Sequence, residues 1–354
     1  MNTHNATKSP FEFGMLNKAD QEKKHAFHEL RVGHKKLNAL MEDLMLLLQP
    51  HSESNIIAVT GATGTGKSTM ARKLLIKLAD QFAPELATDK SVIPLVMVEA
   101  YANGERQHSF KPLFQDIRDQ LMEPGVNRKT SIEIIDGRMI LTPSRRDTVA
   151  SLRQIVENAL KYRKTRVCVI DEAYHLVRFC RETAVMDTLK SLANTTGVKL
   201  VLIGSFDLFD LVAGHGQIAR RISILNLDRY HLELAEDRVE FKGIIHELMK
   251  EWPCEDVPNF ESISYELLDA TFGCVGLLKS FMLDAASMQL RNHGRWDNSF
   301  LKKSAKSMKL RNIIGAEIEV GEAKVRGCLF GESSWDASLL KQICSKMEEK
   351  NNAR

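Results

Sequence analysis

A glycine-rich segment near residue 60 has the residue types and spacing needed to hold phosphate groups. Gly61-Ala62-Thr63-Gly64-Thr65-Gly66-Lys67-Ser68 matches the pattern G-x-x-x-x-G-K-[ST]. Its glycines allow a tight turn, so successive backbone N–H groups can converge on phosphate oxygens. Lys67 would bind the terminal phosphates and the Ser68 hydroxyl would bind magnesium, with Thr69 also in contact with the nucleotide. The segment therefore predicts a site for ATP and Mg²⁺.

The flanking sequence has the pattern that such a loop requires. The apolar run Ile56–Thr60 precedes it and predicts a buried strand. Met70, Leu74, Leu75 and Leu78 follow at helical spacing and predict a helix whose N-terminus faces the phosphates. We therefore expect a strand, a phosphate loop and a helix in succession.

A second chemical site is expected where a later apolar run ends. Val167-Cys168-Val169-Ile170 predicts a buried strand, and Asp171-Glu172 follows it directly. Asp171 would hold the magnesium shell and Glu172 would polarise the attacking water. A paired carboxylate favours ATP hydrolysis over phosphoryl transfer to a metabolite.

Five apolar runs of strand length define the expected core. They are Ile56–Thr60, Pro94–Glu99, Val167–Ile170, Lys199–Gly204 and Ile222–Leu227. Helical patterns separate most of them, which predicts an α/β fold with a parallel five-stranded sheet flanked by helices. We expect this nucleotide-binding core to span residues 51–232, after an N-terminal segment and helix at 1–50 that is flexible to about residue 24.

Other parts of the chain have different patterns. Ser131–Ile135 and Arg138–Thr142 flank Asp136-Gly137, which predicts a β-hairpin inserted in the core near residues 128–146. Residues 233–312 predict a small C-terminal helical lid. The tail, 313–354, contains a strand-like stretch at Ala316–Val320 and a possible terminal helix.

Composition restricts the expected cellular location of the protein. The chain has 354 residues, a net charge of +3 and no run of 18 apolar residues. The N-terminus lacks the apolar region of a signal peptide. Six scattered cysteines without a CxxC pair predict reduced thiols in the cytoplasm. We expect a cytoplasmic protein with no membrane contact, in which local patches would have to bind any nucleic acid.

These motifs resemble those of the AAA+ ATPases. In that family a polar sensor follows the fourth strand, and Ser205 stands there in Leu200-Val201-Leu202-Ile203-Gly204-Ser205. The stretch Gln217–Ile222 resembles the one that supplies an arginine finger to the neighbouring subunit, and either Arg220 or Arg221 could be that finger. Gly273–Lys279 resembles the second sensor, where Lys279 replaces the usual arginine.

Within that family, residues 30–290 resemble the TniB/TnsC-type transposition regulators, which are related to the phage Mu ATPase that delivers target DNA. The resemblance rests on Leu44–Leu48, on Asp171–Leu176 and on Val201–Ser205 followed by Phe206-Asp207. It implies a homo-oligomer, either a ring or a helical filament, that encircles duplex DNA when ATP is bound. It also implies two protein partners, a transposase and a separate target-selector protein.

Basic residues between the second and third core strands are the candidate contacts to duplex DNA, because the resemblance implies that this region lines the channel. They are Arg106, Lys111, Arg128, Lys129, Arg138, Arg145 and Arg146. Lys and Arg that neutralise phosphates give sequence-independent affinity. A second basic run, Lys302-Lys303, Lys306, Lys309 and Arg311, could bind DNA or a partner, or could be the solvated face of a helix.

Three other functions are compatible with part of this pattern. A replication-initiator or clamp-loader-like ATPase would need a DNA-binding winged helix, for which residues 313–354 are short. A signalling switch gated by nucleotide would not need the basic hairpin. A metabolite kinase is disfavoured by Glu172 and by the Arg220-Arg221 pair.

Overall fold

The computed structural model describes residues 16–50, 52–100, 110–122, 130–135, 138–143, 148–176, 182–209 and 222–330. In chain order the helices are α1 Lys18–Glu29, α2 Lys35–Leu47, α3 Lys67–Thr88, α4 Lys111–Gln120, α5 Val149–Tyr162, α6 Glu182–Thr196, α7 Ala235–Lys250, α8 Ser264–Ala270, α9 Val275–Arg291, α10 Ser299–Ser304 and α11 Met308–Phe330. The strands are β1 Ile56–Gly61, β2 Leu95–Glu99, β3 Thr130–Ile135, β4 Arg138–Pro143, β5 Val167–Asp171, β6 Lys199–Ile203 and β7 Ile222–Leu227.

The central sheet confirms the predicted fold class. Its strand order is β2-β5-β6-β1-β7, and every pairing is parallel. Each of the five apolar runs forms one of these strands. Their near-continuous apolar character follows from burial on both faces, since helices cover a parallel sheet on each side.

Successive residues of strand β1 pack in two different hydrophobic clusters. Ile56 packs in a cluster with residues of α4, α5 and α6. Ile57 and Val59, on the opposite face of the same strand, pack in a second cluster with residues of α2 and α3. This alternation follows from the two-residue period of a strand, so the sheet holds both helical layers in place.

The predicted hairpin is confirmed as a backbone structure. Strands β3 and β4 pair antiparallel, with Ile135 opposite Arg138 across the predicted Asp136-Gly137 turn. The hairpin lies between α4 and α5 in the chain and forms a sheet of its own. It is therefore an insertion into the α/β core.

The chain divides into two compact units by its contacts. One is Met1–Lys35 with Arg229–Ile313, and the other is Lys36–Asp228 with Ile314–Arg354. We call them the lid unit and the core unit. This grouping differs from the predicted boundaries, because the first helix belongs to the lid unit and the residues after Ile313 belong to the core unit.

Helix α1 begins within the stretch expected to be flexible. The Asn17 side chain accepts a hydrogen bond from the Asp20 amide at 2.8 Å, which caps the helix. Phe27 is buried in the lid unit and lies edge-on to Trp252, with ring centroids 5.4 Å apart. A polar helix is thus anchored by one aromatic side chain, whose partner is more than 200 positions away in the sequence.

Helix α11 corrects the prediction for the tail. Ala316–Val320 lies in the middle of this helix and is not a strand. Ile318, Gly321 and Val325 are buried, at the spacing of one helical face. The local preference of Ile and Val for strands is overridden by packing on that face. Among the described residues, no helix is long and apolar enough to cross a membrane.

Candidate nucleotide site

Strand order brings three predicted elements to one edge of the core sheet. Strand β6 pairs with β1 on one side and with β5 on the other. Because the strands are parallel, their carboxyl ends meet at the same edge. The phosphate loop follows β1, Asp171-Glu172 ends β5, and Ser205 follows β6. Ligands of open α/β sheets bind at this edge.

The phosphate loop requires glycine at two positions for different reasons. A Cβ on Gly61 would lie 2.7 Å from the carbonyl oxygen of Leu227 in β7, so no side chain fits there. Gly66 has a φ of 106°, in the left-handed region, and directly precedes the first residue of α3. The loop therefore turns sharply into a 22-residue helix whose N-terminus favours anions.

Polar side chains of the loop are held by its own carbonyl groups. Lys67 Nζ donates to the carbonyl oxygens of Gly61 at 2.8 Å and of Ala62 at 2.9 Å. Thr65 Oγ1 donates to the same Ala62 oxygen at 2.9 Å and is buried. The ammonium of Lys67 is thus held over the loop to which phosphates are predicted to bind.

Asp171 and Glu172 form a compact acidic turn. The Glu172 amide donates to Asp171 Oδ1 at 2.9 Å. Glu172 has a φ of 50°, in the left-handed region, which costs a non-glycine residue about 1–3 kcal/mol. The hydrogen bond holds this turn at the end of β5, where the two carboxyl groups follow each other in the sequence.

Burial and charge both act on these carboxyl groups. Burial raises the pKa of Asp171, while the amide of Glu172 and the charge of Lys67 oppose that rise. Burial likewise raises the pKa of Glu172, and the neighbouring Asp171 raises it further. Lys67 acts on both groups, so the loop lysine and the acidic turn belong to one electrostatic site.

Sequence reasoning did not identify two charged residues of this site. Glu99, the last residue of β2, is the register partner of Asp171, and its charge raises the pKa of both Asp171 and Glu172. Arg72, in the second turn of α3, lowers the pKa of Asp171. Glu99 ends an apolar run just as Asp171 does, and this shared signal could have identified it.

Ser205 lies at the same edge, as the resemblance implied. Its hydroxyl donates to Asp207 Oδ2 at 3.4 Å, and the Gly204 amide donates to the Val59 carbonyl at 3.1 Å. The second bond ties the turn after β6 to β1, just before the phosphate loop. The side chain of Ser205 is half-buried and lies between the phosphate loop and the acidic turn in strand order.

The residues at this edge fit a magnesium nucleotide. A hydroxyl from Ser68 and a carboxylate from Asp171 are oxygen ligands of the kind that Mg²⁺ prefers. The loop turns so closely against β7 that a Cβ at Gly61 would fill the space, and the N-terminus of α3 follows it. Together these features fit an anion of several phosphates accompanied by its metal ion.

A further missed residue, Glu317, contacts the loop directly. Thr63 Oγ1 donates to Glu317 Oε1 at 2.9 Å. Glu317 lies in α11, within the part of the helix that belongs to the core unit. The two residues are 254 positions apart, and no motif in the sequence connects them.

Lys279 has well-defined contacts inside the lid unit. Its ammonium donates to the carbonyl oxygen of His28 at 2.6 Å and to that of Leu30, at the end of α1. Burial lowers the pKa of Lys279 to about 8. These bonds fasten α1 to α9, and the predicted contact of Lys279 with nucleotide remains a prediction.

Several predicted residues lie outside the described residues. They are Arg220 and Arg221 of the proposed finger, and Arg106, Arg128, Lys129, Arg145 and Arg146 of the proposed DNA contacts. Lys111 is described and is the first residue of α4, where it is half-buried. Arg138 is the first residue of β4.

Comparisons with known proteins agree with this geometry. Residues 50–212 match the family model described as an AAA domain. The fold resembles that of the ORC2 protein of Aeropyrum pernix, solved as ADPNP-ADP complexes, with a TM-score of 0.54 and 15% identity over 80% of this chain and 71% of that one. It also resembles the ORC1 protein of Aeropyrum pernix in complex with DNA, with a TM-score of 0.54 and 15% identity over 83% of this chain and 70% of that one.

No curated protein sequence matches the chain at a significant level. The likeness to the two solved structures, at 15% identity, establishes the fold alone. The match to the AAA domain covers the phosphate loop, the acidic turn and Ser205. The chain therefore carries an AAA-type P-loop ATPase domain.

Proposed function

We propose that this protein is an ATP-dependent transposition regulator of the TniB/TnsC type, which assembles on duplex DNA and couples target selection to transposase recruitment. The observation that carries the proposal is the β3–β4 hairpin inserted into an AAA-type core. The sequence flanks this hairpin with two basic pairs, Arg128-Lys129 and Arg145-Arg146. An inserted hairpin with cationic flanks suits contact with a DNA backbone.

The proposed chemistry assigns separate tasks to residues at the carboxyl edge. Loop amides and Lys67 bind the phosphates, and Ser68 and Asp171 hold the magnesium ion. When bound, the metal neutralises charge on the β- and γ-phosphates. Glu172 orients a water molecule and accepts its proton, a task that its raised pKa favours because the carboxylate becomes a stronger base.

Assembly is proposed to complete the site. A guanidinium of Arg220 or Arg221 from a neighbouring subunit would stabilise charge on the transferred phosphoryl group. Ser205 would hold the γ-phosphate or the water from the same subunit. Lys279 is proposed to contact the nucleotide. ATP hydrolysis would then depend on oligomerisation.

DNA binding is proposed to be independent of base sequence. The candidate contacts, Arg106, Lys111, Arg128, Lys129, Arg145 and Arg146, are cations that suit phosphate contacts. Such contacts orient a protein on duplex DNA without reading its bases. The target would then be chosen by a separate selector protein, and the DNA-bound oligomer would recruit the transposase.

A replication-initiator-like function is the second candidate. It is favoured by the fold likeness to ORC1 and ORC2 of Aeropyrum pernix, which extends over more than three quarters of this chain. An ATPase that acts at fixed sites on DNA would prefer particular DNA sequences. A transposition regulator that leaves target choice to a selector would not.

The test is a measurement of duplex binding and ATP hydrolysis together. Two duplexes of equal length and unrelated sequence are titrated with the protein in ATP, in ADP and without nucleotide. We expect ATP-dependent binding of equal affinity to both duplexes and hydrolysis stimulated by DNA. Strong preference for one sequence would favour the initiator, and hydrolysis indifferent to DNA would favour a signalling switch. Electron microscopy with a non-hydrolysable nucleotide would then distinguish ring from filament.

A further inference from the structure

Helix α11 contacts the phosphate loop through an acidic side chain. Thr63, the third residue of the loop, donates its hydroxyl hydrogen to Glu317 Oε1 at 2.9 Å. Both side chains are exposed, so this bond alone contributes little to stability. Its significance depends on whether the helix is held there by other contacts.

A packed contact one helical turn further on holds the helix against the core unit. Gly321 lies so close to the ring of Phe206 that any Cβ at this position would overlap the ring. Ile318 and Val325, on the same face, are 3% and 7% exposed. Glycine is required here because the helix and an aromatic ring approach each other closely, which fixes the position of Glu317.

A third contact connects the same helix to the predicted sensor turn. Lys324 Nζ lies 3.7 Å from Asp207 Oδ1, and Asp207 Oδ2 accepts a hydrogen bond from Ser205. Phe206, which packs on Gly321, lies between Ser205 and Asp207 in the sequence. Helix α11 thus contacts both the phosphate loop and the turn that carries Ser205.

The charge of Glu317 opposes the proposed task of the loop. ATP brings several negative charges to the loop, and the Glu317 carboxylate is already hydrogen-bonded to a loop residue. Like charges on the order of 4 Å apart repel each other even in water. Nucleotide binding and the bond between Glu317 and Thr63 are therefore in competition.

We propose that α11 is an inhibitory strap on the nucleotide site, which restrains the phosphate loop through Glu317 and is loosened when ATP binds. This inference rests on the proposed nucleotide chemistry and not on DNA binding. Because the strap also holds Asp207, its release would free the Ser205 turn together with the loop. The binding of ATP would thus change the contacts that α11 makes in the core unit.

The first test measures affinity for a fluorescent ATP analogue with the full chain. In Glu317→Gln the repulsion is lost, so we expect binding about three to ten times tighter than in the parent. Glu319→Gln is the matched control, since Glu319 is exposed on the same helix and the variant removes the same charge. Equal affinities of the two variants would overturn the proposal.

The second test measures hydrogen exchange of residues 308–330 with and without the same analogue. We expect faster exchange when the analogue is bound, and unchanged or slower exchange would refute the strap. Gly321→Ala should raise exchange without nucleotide and tighten binding as Glu317→Gln does. Neither experiment contains DNA, so a failure of the proposed DNA function would leave these results intact.

Discussion

Glu99 and Asp171 are register partners at the carboxyl ends of β2 and β5, which brings two acidic residues side by side at the sheet edge where the phosphate loop also lies. The charge of Glu99 raises the pKa of Asp171 and of Glu172. Glu99 therefore adds a carboxyl group to the two that the sequence motif indicated. A concentration of negative charge of this kind favours a divalent cation beside the nucleotide.

The role of Glu99 leads to a prediction about magnesium. In Glu99→Gln one negative charge next to Asp171 is lost, so we expect the Mg²⁺ concentration for half-maximal hydrolysis to rise by about two- to fivefold. The measurement is ATPase rate against Mg²⁺ at fixed ATP. Glu53→Gln is the control, because Glu53 is exposed and precedes β1 at the opposite edge of the sheet. An unchanged Mg²⁺ requirement in Glu99→Gln would exclude this electrostatic role.

The proposed roles of Lys67 and Glu172 predict different defects when each residue is replaced. Lys67→Ala removes the charge held over the loop and should abolish ATP binding. Glu172→Gln keeps the shape of the turn but removes the base, so binding should persist while turnover falls by roughly 10²–10⁴. Nucleotide affinity and single-turnover hydrolysis separate the two effects. Parental turnover in Glu172→Gln would show that another group activates the water.

An active site shared between subunits predicts complementation. Arg220→Ala/Arg221→Ala protein and Glu172→Gln protein should each be inactive, whereas their mixture should recover part of the parental ATPase rate. The reason is that a mixed oligomer contains interfaces with an intact Glu172 on one subunit and an intact arginine on the next. Turnover is measured across mixing ratios while co-assembly is followed separately. Co-assembly without any recovery of turnover would count against a finger supplied in trans.

The lid unit contains a matched pair of glycines that tests its packing. Gly273 has a φ of 68°, and a Cβ there would overlap the carbonyl group of Tyr230. Gly243, within α7, has no neighbour within 4 Å of such a Cβ. We expect Gly273→Ala to lower the free energy of unfolding by about 2–4 kcal/mol, because it combines strain and a clash. Gly243→Ala should raise it by about 0.5–1 kcal/mol.

Tryptophan fluorescence in a urea titration measures this pair. Trp252 and Trp296, two of the three tryptophans of the chain, lie in the lid unit, so its unfolding dominates the signal. The ATPase rate at low urea is a second readout. Equal stability of the two variants would mean that Gly273 is not required for the close approach to Tyr230.

The sequence was sufficient to predict the fold where local pattern and tertiary packing agree. Apolar runs such as Val167–Ile170 form strands because both faces of a parallel sheet are buried, and the Asp136-Gly137 pair marked the hairpin. The phosphate loop, the acidic turn and Ser205 each follow one of these strands. They therefore lie at the same edge of the parallel sheet.

The failures arise where distant contacts decide the structure. Ala316–Val320 has strand formers, yet Gly321 packs on Phe206 and the segment is helical. Helix α1 is polar in sequence, since Phe27 is the residue of this helix that is buried. The sequence therefore lacks the apolar face by which a packed helix is predicted. The contact between Glu317 and Thr63 joins two distant parts of the chain, and residue spacing carries no information about it.

The proposed DNA path predicts how affinity responds to salt. Phosphate contacts release counterions, so log affinity should fall with log salt at a slope of about −0.9 for each contact. Removing Arg128 and Lys129 together, or Arg145 and Arg146 together, should weaken binding to unrelated duplexes. The slope should become shallower by up to about 1.8 when two cations no longer neutralise phosphates. Basal ATP hydrolysis should persist, because the hairpin forms a sheet separate from the one that carries the phosphate loop.

Lys306 and Lys309 provide a matched control for this measurement. Both are exposed in the second basic run, and their removal takes away the same charge as each hairpin variant. Arg311 is left in place because it pairs with Asp269 at 3.0 Å and its loss would disturb the lid unit. Affinity is measured from low to high salt with nucleotide saturating, for the parent, the two hairpin variants and the control. Unchanged affinity and slope in both hairpin variants would place the DNA elsewhere, and a weakening confined to the Lys306/Lys309 variant would identify the second run as the contact.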